Sequence, residues 1–123
     1  MERLNIRTNR LLVRQLAISD LKDFHVYRSN PDVTKYQGFD VMDEAQSAEF
    51  INENASKFYG IPGEWVQYGI ENIETGQLIG DCAIKLDTYD ERIAEIGITI
   101  TPLEQRKGFA KEVLEIFHQK NET

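Results

Sequence analysis

Ala94, Ile96, Ile98 and Ile100 alternate strictly with Glu95, Gly97 and Thr99, and Pro102 stops the run. A period of two sends one set of side chains to each face of a strand, so residues 94–101 form a β-strand with an apolar and a polar face. The next residues narrow the fold further. Gln105-Arg106-Lys107-Gly108 is a basic loop closed by glycine, and Phe109, Ala110, Val113, Leu114 and Phe117 then share one side of a helix. A strand that feeds a basic, glycine-bearing loop into a helix makes a cradle for a small anion. The helix start leaves backbone N–H groups unpaired and carries about half a positive charge. Gly108 lets a phosphate approach the backbone, and the small Ala110 leaves room beside it. A solvated basic turn is spelled the same way, and spacing alone leaves both readings open. Neither a Walker loop nor a G-x-G-x-x-G fingerprint occurs.

The rest of the chain surrounds this unit. Residues 4–7 and 10–16 read as an extended arm. Ser19 is placed to cap a short helix whose apolar side is Leu21, Phe24 and Tyr27, ended by Asn30-Pro31. Asp43 and Gln46 have capping-box spacing, and Ala45, Ala48, Ile51, Ala55 and Phe58 give the next helix an apolar face up to Gly60 and Pro62. Strand patterns follow at 64–72 and 77–86, joined by Glu74-Thr75-Gly76, with Leu78, Cys82, Ile84 and Leu86 near alternation. Trp65 and Tyr68 read as sheet core. The order β-α-α-β-β-β-α predicts a single α+β domain over residues 1–123: a mainly antiparallel sheet flanked by helices.

Charge and cysteine content limit the function. With 21 acidic and 14 basic residues among 123, the net charge is −7, which argues against nucleic acid as a partner. Yet residues 102–111 hold Arg106, Lys107 and Lys111 against Glu104 alone, a local basic spot suited to a small anion. No apolar run approaches the length of a membrane span and no leader precedes the first strand, so a cytoplasmic protein without membrane contact is expected. Cys82, the only cysteine, lies on the apolar side of its strand and reads as a buried thiol rather than a nucleophile. With one cysteine, and His25 and His118 in different helices, no metal site is expected.

Gln105-Arg106-Lys107-Gly108-Phe109-Ala110 resembles the Q/R-x-x-G-x-G/A signature of the GNAT N-acetyltransferase superfamily, and Ala94-Glu95-Ile96-Gly97-Ile98 resembles its fourth strand. Thr8-Asn9-Arg10-Leu11-Leu12-Val13-Arg14, Asn30-Pro31-Asp32-Val33 and Glu74-Thr75-Gly76-Gln77-Leu78-Ile79-Gly80 are similar to the ribosomal-protein N-terminal, RimJ/RimL-type branch. The resemblance implies transfer of acetyl from acetyl-CoA to a primary amine, a protein N-terminus or a small amine, by direct attack in a ternary complex. It places the CoA pyrophosphate on Gln105, Arg106, Lys107, Gly108, Phe109 and Ala110, and the pantetheine arm along Ile98, Thr99 and Ile100. Glu95 becomes the expected base that deprotonates the ammonium, and Tyr36 and Phe39 fall where the family shapes its acceptor pocket. A solvated strand carboxylate is the plain alternative for Glu95.

Family members continue past the helix that follows this loop, whereas the chain ends at Thr123. That leaves a working acetyltransferase, or a truncated, weak or inactive remnant that keeps the fold and binds CoA. It also leaves 94–101 as an apolar edge strand, from which a homodimer is expected.

Overall fold

The structure, a computed structural model, describes residues 5–33, 41–57, 63–86 and 94–121. Five strands form one antiparallel sheet in chain order: β1 (Asn5–Arg7), β2 (Leu11–Gln15), β3 (Val66–Asn72), β4 (Leu78–Leu86) and β5 (Ala94–Ile100). The N-terminal arm is thus a hairpin, and its β2 pairs with β3 through Val13 opposite Ile70. Helix α1 (Leu21–Arg28) and α2 (Glu44–Ala55) cover one face of the sheet, and α3 (Phe109–Asn121) covers the other. The α+β architecture expected from the element order is the one observed.

The two faces follow from the register. Tyr68 opposes Cys82, which opposes Ile98; Val66 opposes Ile84, which opposes Ile96. These residues share the α3 face, where Leu11, Val13, Tyr68, Ile70, Cys82, Phe109 and Val113 form a buried core. On the other face, Leu16, Phe24, Tyr27, Ile51 and Leu78 pack together. Leu78 therefore does not share a face with Cys82 and Ile84, as near alternation predicted. A bulge opposite Ile70 and Glu71 inserts Ile79, and the extra residue turns Leu78 to the helix-pair side. Gly80 sits at this bulge because a Cβ there would lie 2.2 Å from the Thr99 carbonyl oxygen.

The helices depart from the pattern in phase. Asp43 Oδ1 accepts from the Gln46 N–H at 2.7 Å and Gln46 Oε1 accepts from the Asp43 N–H at 2.9 Å, the capping box as expected. The buried side of α2, however, is Ser47, Ile51 and Asn54, while Ala45 is exposed. Asn54 earns its place by hydrogen bonding: Oδ1 accepts from the Gln67 N–H at 2.9 Å, tying α2 to β3. The helix ends at Ala55, and Phe58, Gly60 and Pro62 lie outside the described residues. Ser19 is exposed and caps nothing; the Asp20 carboxylate instead accepts from the Ala17 N–H at 2.8 Å and from both terminal nitrogens of Arg14 at 2.9 Å. Trp65 is not core either. It precedes β3, is 45% exposed, and meets Lys85 Nζ 5.7 Å from its ring centroid.

Between α1 and the sheet lies a polar cluster built on the buried Asp81, Arg28 and Tyr27 and the partly buried Gln67. Asp81 Oδ1 accepts from Arg28 Nη2 at 2.8 Å and from Gln67 Nε2 at 2.6 Å, and Oδ2 accepts from the Tyr27 hydroxyl at 2.5 Å. Arg28 also lies over the rings of Phe24 and Phe50. Removing one partner of a buried ion pair strands the other charge away from water, at a cost of about 3–5 kcal/mol. Asp81→Ala is therefore expected to lower the unfolding free energy by about that amount. Urea unfolding checks it, and a loss below about 1 kcal/mol would show that Arg28 is satisfied without the carboxylate.

Candidate active site

The end of β5 delivers the chain into a tight passage. A short 3-10 turn, Pro102–Glu104, is followed by Gln105 to Gly108, and α3 begins at Phe109. Gln105 Nε2 donates back to the Ile100 carbonyl at 3.0 Å, fastening the loop to the strand it leaves. Gly108 has φ +81°, and Arg106 has φ +66°, the only positive φ at a non-glycine residue among those described. An arginine in the left-handed region is held there against its own preference, which marks local backbone strain. Positive and negative φ alternating over successive residues is also the pattern from which backbone anion nests are built.

The residues expected to hold CoA fall into two groups. Gln105, Arg106, Lys107 and Gly108 are exposed, and Ile98 and Ala110 are half-buried. Thr99, Ile100 and Phe109 are buried, and the Thr99 backbone groups are turned toward β4. Thr101 donates its N–H to the Ile79 carbonyl at 2.8 Å. By antiparallel alternation, the backbone groups of Ile96, Ile98 and Ile100 turn away from β4. β5 is the last strand of the sheet among the described residues. A cleft of about 250 Å3 adjoins this end of β5, lined by Asn30, Asp32, Val33, Thr99, Ile100, Pro102 and Gln105.

Glu95 lies at the opposite end of β5, opposite Lys85 in register, on the polar face with Gly97 and Thr99. It is largely exposed, and Lys85 Nζ is 3.8 Å away. Five residues of strand put Glu95 about 17 Å from Ile100. The loop and Glu95 thus mark the two ends of one strand. Tyr36 and Phe39 lie outside the described residues.

Burial, and then the charge of Asp81, push the Cys82 thiol far above its ordinary value, which leaves it an inert core residue. His25 Nδ1 lies 3.1 Å from the Ser47 hydroxyl oxygen, and the side chain of His118 lies outside the described residues. Among the described residues, no three His, Cys, Asp or Glu side chains gather where they could hold a metal ion, and no helix is long and apolar enough to cross a membrane.

Sequence reasoning missed the residues behind the loop. Arg10, in the turn between β1 and β2, donates from Nη1 to the Lys107 carbonyl at 2.9 Å and from Nε to Glu112 Oε1 at 2.7 Å. The Arg10 N–H donates to Glu112 Oε2 at 3.0 Å, and the Thr8 hydroxyl donates to the same oxygen. Beside this turn a second cleft, of about 410 Å3, runs between Arg10, Asn72, Glu104 and Lys107. The sequence carried only a weak sign of it: Thr8 and Arg10 stand in a segment noted for likeness, with no partner visible at a separation of about a hundred residues.

Residues 10–121 match the acetyltransferase (GNAT) domain family. An uncharacterized N-acetyltransferase of Bacillus subtilis (strain 168), YoaA, is 32% identical over 109 residues, which cover 89% of this chain and 61% of that protein. A GNAT-family acetyltransferase from Bacillus anthracis has a similar structure, with a TM-score of 0.77 at 26% identity over 91% of this chain and 62% of the other. A spermidine N-acetyltransferase from Vibrio cholerae, solved in complex with CoA and spermine, gives a TM-score of 0.71 at 23% identity over 93% and 64%. The chain spans about 60% of the length of the curated relatives it matches.

Glu112 provides a pH test of the loop's support. Burial pushes its pKa up, but the hydrogen bonds from Thr8 and Arg10 outweigh that and hold it below the ordinary carboxylate value. A carboxyl whose pKa is lowered by folding stabilises the native state above its unfolded pKa, and that contribution is lost as pH falls through the lowered value. Denaturant midpoints measured from about pH 6 down to about pH 3 are expected to fall more steeply for the parent than for Glu112→Gln. Parallel profiles would mean that the carboxylate contributes nothing there.

Proposed function

Because the chain belongs to the acetyltransferase (GNAT) family, we propose that it carries acetyl from acetyl-CoA to a primary amine by direct attack in a ternary complex. The observation that carries this reading is the loop itself. Arg106 and Gly108 sit at positive φ, at the start of a 13-residue helix and one short turn past β5, the last strand of the sheet among the described residues. The fit to a pyrophosphate is good on backbone grounds. The N–H groups from Arg106 to Ala110 lie at a helix start, and Arg106 and Lys111 add exposed positive charge, while Lys107 Nζ pairs with Glu104 Oε2 at 3.1 Å. Gln105 braces the loop, and Phe109 seats the helix on the sheet. The pantetheine arm runs along Ile98, Thr99 and Ile100 on the side turned from β4. CoA supplies the acetyl group as an activated thioester.

The chain's own part is to align the amine and manage its proton. The amine nitrogen bonds to the thioester carbonyl carbon as the C–S bond breaks. Glu95, directly or through a water, takes the ammonium proton beforehand; the second proton that the nitrogen sheds as the amide forms passes to solvent, and solvent protonates the departing thiolate. A backbone N–H of β5 facing the thioester oxygen stabilises charge that develops there.

The acceptor is a protein N-terminus, which likeness to the RimJ/RimL-type branch supports, or a small amine such as that named for the Vibrio cholerae neighbour. The net charge of −7 favours a cationic acceptor in either case. A homodimer belongs to the same reading, supported by the position of β5 as the last strand among the described residues and by the exposed Leu103 and Leu114. Of the other apolar residues on that side of the helix, Phe109 and Val113 are buried on the sheet, and the side chain of Phe117 lies outside the described residues.

Gly108→Glu places a side chain in a left-handed position and a negative charge against the pyrophosphate. Calorimetric affinity for CoA is expected to fall by at least about 1–2 kcal/mol, roughly tenfold. Unchanged affinity would remove the ligand from this loop. For Glu95→Gln, turnover is expected to drop about 10²–10⁴-fold with little change in CoA binding. A near-parental rate across the pH range would leave Glu95 a solvated surface carboxylate.

A further inference from the structure

The Thr8–Arg10 turn takes no part in acyl transfer as described, yet Arg10 commits its side chain to the junction between loop and helix. Besides its bonds to the Lys107 carbonyl and Glu112, its guanidinium carbon lies 4.3 Å from the Phe109 ring centroid. A Cβ built on Gly108 would meet Arg10 Nη2 at 3.5 Å. One side chain from the far end of the sequence therefore contacts three residues across the loop and the first turn of α3, and lies beside the position a Gly108 side chain would take.

The peptide plane makes this contact directional. In a trans peptide the C=O of Lys107 and the N–H of Gly108 point in opposite directions. Holding the Lys107 oxygen on Arg10 fixes the Gly108 N–H to point away from Arg10. Lys107 stands between Arg106 and Gly108, both at positive φ, a conformation that persists only where the surroundings over-determine it. Glu112 completes the arrangement. It takes donors from Arg10 and Thr8, while its own N–H donates to the Gly108 carbonyl at 3.1 Å.

We propose that Arg10, oriented by Glu112 and Thr8, is a positioning residue for CoA, one that holds the loop in its pyrophosphate-binding form before the ligand arrives. This inference rests on the placement of CoA at Gln105–Ala110. Apparent affinity scales with the fraction of molecules already in the competent conformation, so a loosened loop binds less tightly with no ligand contact removed.

Charge alone and positioning make different predictions. Arg10→Lys keeps the positive charge but cannot reach both the Lys107 carbonyl and Glu112 with a planar fork. Glu112→Gln removes a negative charge near the loop, which by electrostatics alone tightens an anion. Each variant and the parent are titrated calorimetrically with CoA, and the free proteins are compared by amide NMR and thermal melting. Positioning predicts that both variants bind about tenfold more weakly, with amide resonances of Lys107 to Phe109 displaced in the free state. Arg10→Lys within about twofold of the parent, or tighter binding by Glu112→Gln, overturns it. Should Glu112→Gln fail to fold, Arg10→Lys decides alone. If the parent itself does not bind CoA, the placement of the ligand is wrong and the inference falls with it; parent binding with both variants unaltered overturns the inference alone.

Discussion

The helical layer is held to the sheet by a carboxylate that water does not reach. Asp81 sits in the middle of β4 with no exposure, and Arg28, Tyr27 and Gln67 satisfy its two oxygens from α1 and β3. Such a cluster adds little net stability over an apolar one, but it tolerates only one arrangement, because any shift leaves a buried charge without its partner. Asp81 also opposes Thr99 in register, so the cluster lies beside the strand that ends in the loop. Position of α1, phase of β4 and course of β5 are therefore set together. Burial and the Asp81 carboxylate keep the Tyr27 hydroxyl protonated well above its ordinary range, so the donor to Asp81 is retained.

What the sequence showed follows from how local each signal was. β5 was legible because four apolar residues alternate without interruption, and the α2 start because Asp43 and Gln46 form their box within one turn. The turn at Gly76, with φ +73°, was legible for the same reason. Other features depend on partners distant in the chain. The buried side of α2 carries Ser47 and Asn54, polar residues that a periodicity argument assigns to solvent but that meet His25 and Gln67 in the fold. Ile79 at the bulge breaks the period of two, and Leu78 changes face as a result; the neighbouring Gly80 is a local sign of such a bulge, but it does not say which residue is the extra one.

The site divides in the same way. Its basic loop was readable as a contiguous string, and the structure gives that string the strained backbone of Arg106, which no residue type announces. Asp81 is a lone acid inside an apolar strand, a local signal of burial beside a partner, but the partners themselves lie far away in the chain. Arg10 and Glu112 were invisible as a pair, because nothing local relates the first hairpin to the last helix. A fold of this kind concentrates its recognition residues in short motifs and its supporting residues in long-range contacts, so single-sequence reading recovers the former first.

The central claim is that the junction of β5 and α3 is a CoA site. Backbone amide chemical-shift mapping of the 123-residue chain during a CoA titration tests it most directly. The account predicts that the largest changes cluster at the N–H groups of Ile98 to Ile100 and Arg106 to Ala110, with the α2 amides unmoved. Saturable changes centred elsewhere, or no changes at millimolar CoA, would contradict it.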